Sequence, residues 1–593
     1  MSEKKVNKQN VLGGAMVLVI ATALVKIIGA IYKIPLTGII GSLGRGYFAS
    51  AYNIYTPIYA ISMAGLPVAV STIVSKNAAL GKYRDVKQVM KITFPLFLAL
   101  GLVGTGVLLL AAKPYVNSVG SELAIYSVIA IAPSILFCCI MSTYRGYYEG
   151  LNNMYPTAIS QVIESVGKLV FGLVLSYYVI GYATEQVEAT GQFMGQVSEN
   201  GNLPPVAYAV AAAGAILGVT LGTVFGAIYT ILRHTIKKDG ITENMLVNSP
   251  LASRKKDTVN EIVKIAVPTA VSSLVLNITN FIDTWMIQNR LEGVVDKNYD
   301  VIMGIYGDSI NAANVSKDTI HTFLYGAYDT TLDFRNLIPT IMMTLGVSAI
   351  PIISGAMAKK DTKTINDTVN TVFRTTMLIA LPAGIGFFVL SEPILSLLYN
   401  GTENQSGIAV AAPVLALYGL MMAILTLSSP LTNILQAIGR ADVPAKALAI
   451  GCAFKIGLNY VLIGIPEINI KGAVFGTAFF YLLCIFINYY VLRKETGVRI
   501  DIKTVIVKPL IASVLCGVSA WGTYTLLSSV LTFGDPNGRL NGGAVACIAA
   551  IGVAVLVYAI SALLLKTLVK NDILLLPKGE KIAKILEKYK LIV

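Results

Sequence analysis

The sequence predicts an all-α polytopic membrane protein of about fourteen transmembrane helices, and three observations carry that reading. Of 593 residues, 55% are hydrophobic and 13% charged, roughly half the charge fraction of a soluble chain, and mean hydropathy is +0.70. The apolar residues are blocked into runs of about twenty or more, the length that carries a helix across about 30 Å of hydrocarbon. These runs do not alternate apolar and polar residues, as barrel strands would, and backbone groups in lipid must then pair within helices.

Along the chain the spans fall at 11–32, 47–73, 91–112, 122–142, 155–180 and 206–232, then 261–288, 332–354, 372–391, 407–428, 443–464 and 471–492, with two more at 505–528 and 544–566. The start, MSEKKVNKQN before an apolar run, resembles a signal peptide, but Lys26 interrupts the run and no A-x-A site follows, so it reads as a retained first helix. Pro57, Pro67, Pro268 and Pro382 lie within runs and predict kinks. Assigning alternate connections to alternate sides, with the N-terminus inside, puts roughly 30 Lys and Arg on the inner side and roughly 8 on the outer. Both termini are therefore expected in the cytoplasm, in a multi-pass protein of the cytoplasmic membrane. The outer stretch 289–331, with Asp296, Asp300, Asp308, Asp318 and His321 among Asn, Ser and Gly, reads as a solvated loop. At the end, PKGEKIAKILEKYKLIV gathers Ile582, Ile585, Leu586 and Tyr589 on one helical face with lysines around the rest, as in a helix resting on anionic lipids.

The two halves resemble each other at a shift of about 280 residues. GLPVAVSTIVSKNAALGKYRDVKQVMKITFPLFLAL from Gly65 parallels GVSAIPIISGAMAKKDTKTINDTVNTVFRTTMLIAL from Gly346, and a shift of 287 places Lys168 on Lys455. The expected organisation is an N-lobe at 1–232, a cytoplasmic linker at 233–260, a C-lobe at 261–492, two further helices within 493–567, and a basic amphipathic tail at 568–593. Parallel repeats of this kind suit alternating access.

Several classes are disfavoured. The net charge of +14 is spread over short connections with no basic domain, which argues against nucleic acid as a partner. All six cysteines lie inside apolar runs and only His234 and His321 are present, so neither a disulfide framework nor a histidine or cysteine metal site is expected. P-loop, nucleophile-elbow and HExxH patterns are absent from the sequence, and the chain does not read as an enzyme. A charge within a membrane span is costly unless it is paired or faces water. Lys26, Glu164, Lys168, Asp283, Arg335 and Lys455 all fall in spans, with Lys33 and Arg45 between the first two, at the outer mouth.

YRGYYEGLNNMYPTAISQVIE, GLPVAVSTIVSK, LYGAYD, LQAIGRADVPAKALAIG and FKIGLNYVLIG resemble the signature regions of the stage V sporulation protein B family. That family is a polysaccharide-transporter branch of the multidrug/oligosaccharidyl-lipid/polysaccharide exporter superfamily, related to MurJ-type lipid II flippases. The resemblance spans nearly the whole chain. It implies a V-shaped bundle, a cationic cavity, a lipid-tail groove at the last two helices, and a flippase for an undecaprenyl-linked cell-wall or polysaccharide precursor. A multidrug or toxin extruder on the same architecture is the alternative. The resemblance further implies coupling to an ion gradient; no other cofactor is expected, and a helical transporter of this type, which needs no second subunit, is expected to act as a monomer. A lipid-linked sugar pyrophosphate needs sheltered cations, for which Lys26, Lys33 and Arg335 are the candidates; the other reading of each is snorkelling to the interface. In place of the Arg and Arg-Asp pattern of the best-known relatives, the first helix carries Lys26 and Lys33. Glu164 and Lys168 have the i,i+4 order of a same-face pair, either structural or gating. Asp283 either takes a proton, pairs with Lys455, or, as the resemblance suggests, joins Asn459 and Thr477 around a sodium ion.

Overall fold

The computed structural model of the chain describes residues 11–198, 202–237, 239–400, 405–535, 538 and 541–567. The basic tail expected at 568–593 and the first ten residues lie outside the described residues. Eleven of the described helices are long and apolar enough to cross a membrane. The first holds two of the expected crossings, and two further long helices cover the expected spans at 261–288 and 332–354, so the fourteen expected crossings all fall on helix. The chain is an integral membrane protein of helical type. It forms two compact units: one runs to Glu292 and takes in Asn314–Gly326, the other holds Gly293–Ala313 and continues from Ala327.

In the first unit, α1 (Val11–Ala60) is two helices meeting at Gly41, whose φ of 62° belongs to glycine. The expected connection at 33–46 is therefore one helical break rather than a loop. Leu36, Ile40 and Leu43 of this stretch are buried, and so are its polar Thr37, Ser42 and Arg45, so the chain packs within the unit here instead of turning out to solvent. A π-turn at Ile61–Gly65 leads into α2 (Leu66–Ala79). Then come α3 (Tyr83–Ser118), α4 (Ile125–Gly150), α5 (Tyr155–Thr190), a hairpin of β1 (Gln192–Phe193) and β2 (Gln196–Val197), α6 (Pro205–Lys237), the short α7 (Glu243–Val247) and α8 (Lys255–Lys297). Helix α5 packs on α6 and α1, and α4 packs on α3, α6 and α2. The α5–α6 seam is built on Gly214, Gly218, Gly222 and Gly226, one per turn of α6. A Cβ on Gly218 would stand 2.2 Å from the Gly172 amide nitrogen, and one on Gly222 2.4 Å from the Glu164 carbonyl oxygen. Lipid is as apolar as a leucine side chain, so such close backbone approach, rather than hydrophobic exclusion, holds membrane helices together.

In the second unit the chain continues through α9 (Tyr299–Ala312), α10 (Ile320–Ala358), α11 (Thr362–Val389), α12 (Ser391–Tyr399), α13 (Gln405–Ala437), α14 (Asp442–Ile463), α15 (Gly472–Thr496), α16 (Lys508–Val530) and α17 (Gly542–Leu564). The pairings α11–α13, α13–α15 and α14–α15 reproduce α3–α4, α4–α6 and α5–α6 of the first unit. Helix α16 packs on α17 and α11, leaving an apolar groove of about 370 Å³ lined by Leu381, Ile385, Phe388, Leu420, Val514 and Val518. On α16 and α17, Val518, Trp521, Leu526, Val555, Leu556 and Leu564 are exposed, a lipid-facing surface that water would not tolerate over such an area.

The stretch 289–331 is not the solvated loop its composition suggests. It contains the end of α8, all of α9 and the start of α10. On α9 Asp300, Asp308 and Asn311 are exposed, while Ile302, Tyr306 and Ile310 recur every fourth position and are buried. His321 is 2% exposed. The start of α10 meets α1 at two glycines: a Cβ on Gly326 would lie 1.8 Å from the Ser42 carbonyl oxygen, and one on Gly46 2.3 Å from that of Thr322.

Candidate functional site

The residues expected to carry function are divided between the two units, and only some of them meet. In the first, Tyr155, Pro156 and the turn before them start α5, which presents Glu164 and Lys168 one turn apart. The guanidinium of Arg145, reaching from the end of α4, donates through Nη2 to Glu164 Oε2 at 3.1 Å and through Nε to Ser160 Oγ at 2.9 Å. Arg145 is 1% exposed, and this carboxylate offsets part of the cost of burying its charge. Lys168 lies 4.9 Å from the ring centre of Tyr32 and 5.1 Å from that of Tyr52, both on α1, in cation–π geometry. From Tyr52 the rings of Tyr55 and Tyr59 continue along α1 at 6.0 and 5.2 Å centre to centre. The anticipated carboxylate–lysine face is thus part of a larger assembly in which Arg145 engages Glu164 and aromatic rings cradle Lys168.

Elsewhere in this unit Lys26 is exposed on α1, and Lys33 is half-buried before the Gly41 break. Arg45, expected at the outer mouth, is 1% exposed and donates to Thr37 Oγ1 at 3.2 Å. Asp283 is half-buried on α8. Its helix is fixed to α1 by Gln288 Nε2 donating to Ser50 Oγ at 2.9 Å, and to the start of α10 by the Thr284 and Tyr325 hydroxyls at 2.9 Å.

In the second unit, Arg335 of α10 stacks 5.4 Å from the ring centre of Tyr418 on α13 and donates to its hydroxyl at 3.4 Å. That hydroxyl is 2.9 Å from the hydroxyl of Tyr328. The remaining contact of the guanidinium is Nε to Asn336 Oδ1 at 3.3 Å, and among the described residues no carboxylate pairs with it. Lys455 of α14 is 6% exposed, its ammonium 5.7 Å from the ring centre of Phe480 on α15. One turn further along, Asn459 is fully buried, and neither polar atom of its amide meets a hydrogen-bonding partner among the described residues. Its side chain lies against Gly476, where a Cβ would stand 1.8 Å from Asn459 Oδ1. The adjoining Thr477 is buried and donates to the Ala473 carbonyl at 2.8 Å. Among the described residues no group of three His, Cys, Asp or Glu side chains could hold a metal.

Sequence reasoning did not single out Arg145, Tyr418 or the buried Arg374 of α11. Arg145 and Glu164 both lie within the 144–164 signature, and opposite charges at the two ends of a helix–turn–helix were the available signal. The same signature packs on the one at 65–76: a Cβ on Gly146 would meet the Pro67 carbonyl at 2.7 Å, and one on Gly150 the Val74 side chain at 2.6 Å.

A duplicated helical membrane bundle with charged and aromatic clusters inside each half is the architecture of secondary transporters and flippases. The chain belongs to the polysaccharide biosynthesis protein family, whose profile matches residues 11–357, in the branch of the multidrug/oligosaccharidyl-lipid/polysaccharide exporter superfamily that includes MurJ and stage V sporulation protein B. The profile of lipid II flippase MurJ matches residues 337–535. Lipid II flippase MurJ of Bacillus subtilis (strain 168) is 25% identical over 567 residues, covering 92% of this chain and 94% of that protein. Stage V sporulation protein B of the same organism is 23% identical over 571 residues, covering 96% and 98%. Among solved structures, lipid II flippase MurJ in an inward closed conformation superposes with a TM-score of 0.62 at 15% identity, covering 93% of this chain and 98% of that one. An inward-facing multidrug resistance MATE family transporter superposes at 0.58 and 14% identity, covering 81% and 98%. These two superpositions establish a shared fold.

Proposed function

We propose that this protein is a flippase that carries an undecaprenyl-linked, pyrophosphate-bearing cell-wall or polysaccharide precursor across the cytoplasmic membrane by alternating access. The observation that carries the reading at the level of residues is Arg335. A guanidinium within the bundle, held by the hydroxyl and ring face of Tyr418 and given no carboxylate among the described residues, keeps its charge for an anionic ligand. Lys26, exposed on α1 without a hydrogen bond or ion pair to a described residue, and Lys33 are the further cations assigned to the diphosphate. A drug extruder that takes organic cations would be opposed by such groups. The apolar groove between α11, α13 and α16 is assigned to the polyprenyl tail.

Coupling to a sodium or proton gradient is part of the proposal. The unpartnered, buried amide of Asn459 suits a hard cation through its oxygen, Thr477 offers a second oxygen on the adjacent helix, and Asp283 is assigned the coupling carboxylate. The ammonium of Lys455, one turn from Asn459, is the rival cation for the same role. The arrangement of loop charges supports cytoplasmic termini. In cells depleted of their own flippases, a labelled lipid-linked precursor should reach the outer leaflet when wild type is expressed, and should not with Lys26→Ala or Arg335→Ala at equal expression. Wild type that protects cells from cationic dyes while exposing no precursor would replace this reading with extrusion.

A further inference from the structure

Apart from those residues, the first unit carries a groove of about 1000 Å³ between the start of α3, the linker after α6 and the first turns of α8. We propose that it is a binding site for one anionic phospholipid of the cytoplasmic leaflet, its phosphate held by Lys91 and Lys255. The inference rests on the proposed orientation of the chain and is independent of the transported substrate.

The groove is graded along a single face of α3. Arg84, Lys87, Gln88 and Lys91 follow one another at helical spacing, and Ile92, Pro95 and Leu96 continue the same face. At about 1.5 Å per residue the cations occupy roughly the first 10 Å and the apolar side chains the next turn. A phospholipid beside a helix needs this sequence of groups: charge at the depth of the phosphate, hydrocarbon below it. The opposite wall repeats it, with Lys255 at the mouth and Val259 below. Beyond the groove the exposed Leu100 and Val103 of α3 and Val263 and Val267 of α8 offer a continuing surface for acyl chains.

The wall is built rather than loose. The Arg84 amide donates to Ser249 Oγ at 3.1 Å and its Nε to the Leu246 carbonyl at 2.9 Å. Gln88 Nε2 donates to the Ser253 carbonyl at 2.7 Å, and the Ser253 amide to Asp85 Oδ1 at 2.7 Å. These bonds occupy Arg84 and Asp85 in holding the linker. Lys87 is paired with Asp239 at 2.5 Å, and Glu261 with Lys76 at 2.7 Å. Lys91 and Lys255 have no hydrogen bond or ion pair with any described residue, and the exposed Asp257 at the start of α8 is not paired with either. Two unneutralised ammonium groups over an apolar floor are complementary to a lipid phosphodiester and indifferent to an uncharged lipid.

Native mass spectrometry of the full-length protein, delipidated and titrated with phosphatidylglycerol or phosphatidylcholine, tests this. Wild type should retain one phosphatidylglycerol under activation that strips phosphatidylcholine. Lys91→Gln/Lys255→Gln should lower that first-bound fraction at least tenfold, and Lys91→Arg/Lys255→Arg should keep it. Lys359→Gln/Lys360→Gln, in the exposed basic turn before α11, should leave it unchanged at the same melting temperature. Equal retention by the Lys91/Lys255 double Gln variant, or an equal loss in the Lys359/Lys360 control, would overturn the site. Displacement of phosphatidylglycerol by an equimolar amount of undecaprenyl phosphate would overturn its assignment to a phospholipid and give the groove to the polyprenyl carrier.

Discussion

Arg145 and Glu164 show how one neighbour changes the meaning of a residue. From the sequence, Glu164 faces Lys168 one turn on, and that period is sound. The guanidinium that engages it comes from a different helix across the turn at 151–154, and no helical period reveals a partner on another helix. Asp283, Lys455 and Arg335 were legible as costly charges within spans, while the tyrosine that holds Arg335 was not, because a tyrosine on a distant helix carries no spacing signal. Removing one partner of a buried pair leaves the other charge uncompensated. Glu164→Gln should therefore cost about 3 kcal/mol of stability, read as a lowered melting temperature in detergent. Arg145→Leu/Glu164→Leu should cost less than the single change, because no lone charge remains. A double variant less stable than Glu164→Gln would show that the pair contributes more than mutual neutralisation.

At the scale of elements, the glycines of α6 fix how α5 and α6 meet. Gly222→Ala must push against the backbone of α5 at Glu164 and should destabilise by about 1–3 kcal/mol through overpacking. Gly181→Ala, on the same α5 but with open space around its Cβ position, should be silent. Equal melting of the two variants would contradict the seam. That ladder was readable as a glycine every fourth residue, whereas the helical nature of 289–331 was masked by its Asp, Asn and Ser content, its apolar period being only three residues long on α9. The linker is likewise a structured element. Burial pushes the Asp239 carboxyl up, but hydrogen bonds from Lys87 and Tyr147 and the Lys87 charge outweigh it and hold it below the usual carboxylate range. A carboxyl depressed in the folded state contributes stability above its unfolded pKa of about 4 and loses it as pH falls through the lower folded value. Tryptic cleavage at Arg254–Lys256 should accordingly rise in Asp239→Asn at neutral pH, and wild type refolded from pH 3 to neutral should regain its protection. Unchanged cleavage in Asp239→Asn would mean the linker is held without this pair.

For the whole molecule, the crossings and the duplication were the most legible features, because membrane spans are written in composition and the repeat in aligned basic connections. The matching helix pairings in the two units support that duplication, and Lys168 and Lys455, aligned at a shift of 287, each lie over aromatic rings of their own unit. The break at Gly41 and the close approach of Gly46 and Gly326 were not legible, since a glycine in an apolar run looks the same whether it packs, bends or does neither. The second unit holds a cation, Arg335, that pairs with no carboxylate among the described residues, and the proposed function turns on it.

The most direct test is therefore translocation by the purified protein in proteoliposomes loaded on one leaflet with a fluorescent undecaprenyl-pyrophosphate sugar, with and without a sodium or proton gradient. Wild type should move the label to the other leaflet, Arg335→Lys should retain part of that rate, and Arg335→Ala should lose at least tenfold, since a point charge replaces a guanidinium fork only in part. Wild type that leaves the label in place under either gradient, or Arg335→Ala that moves it at the wild-type rate, would contradict the account.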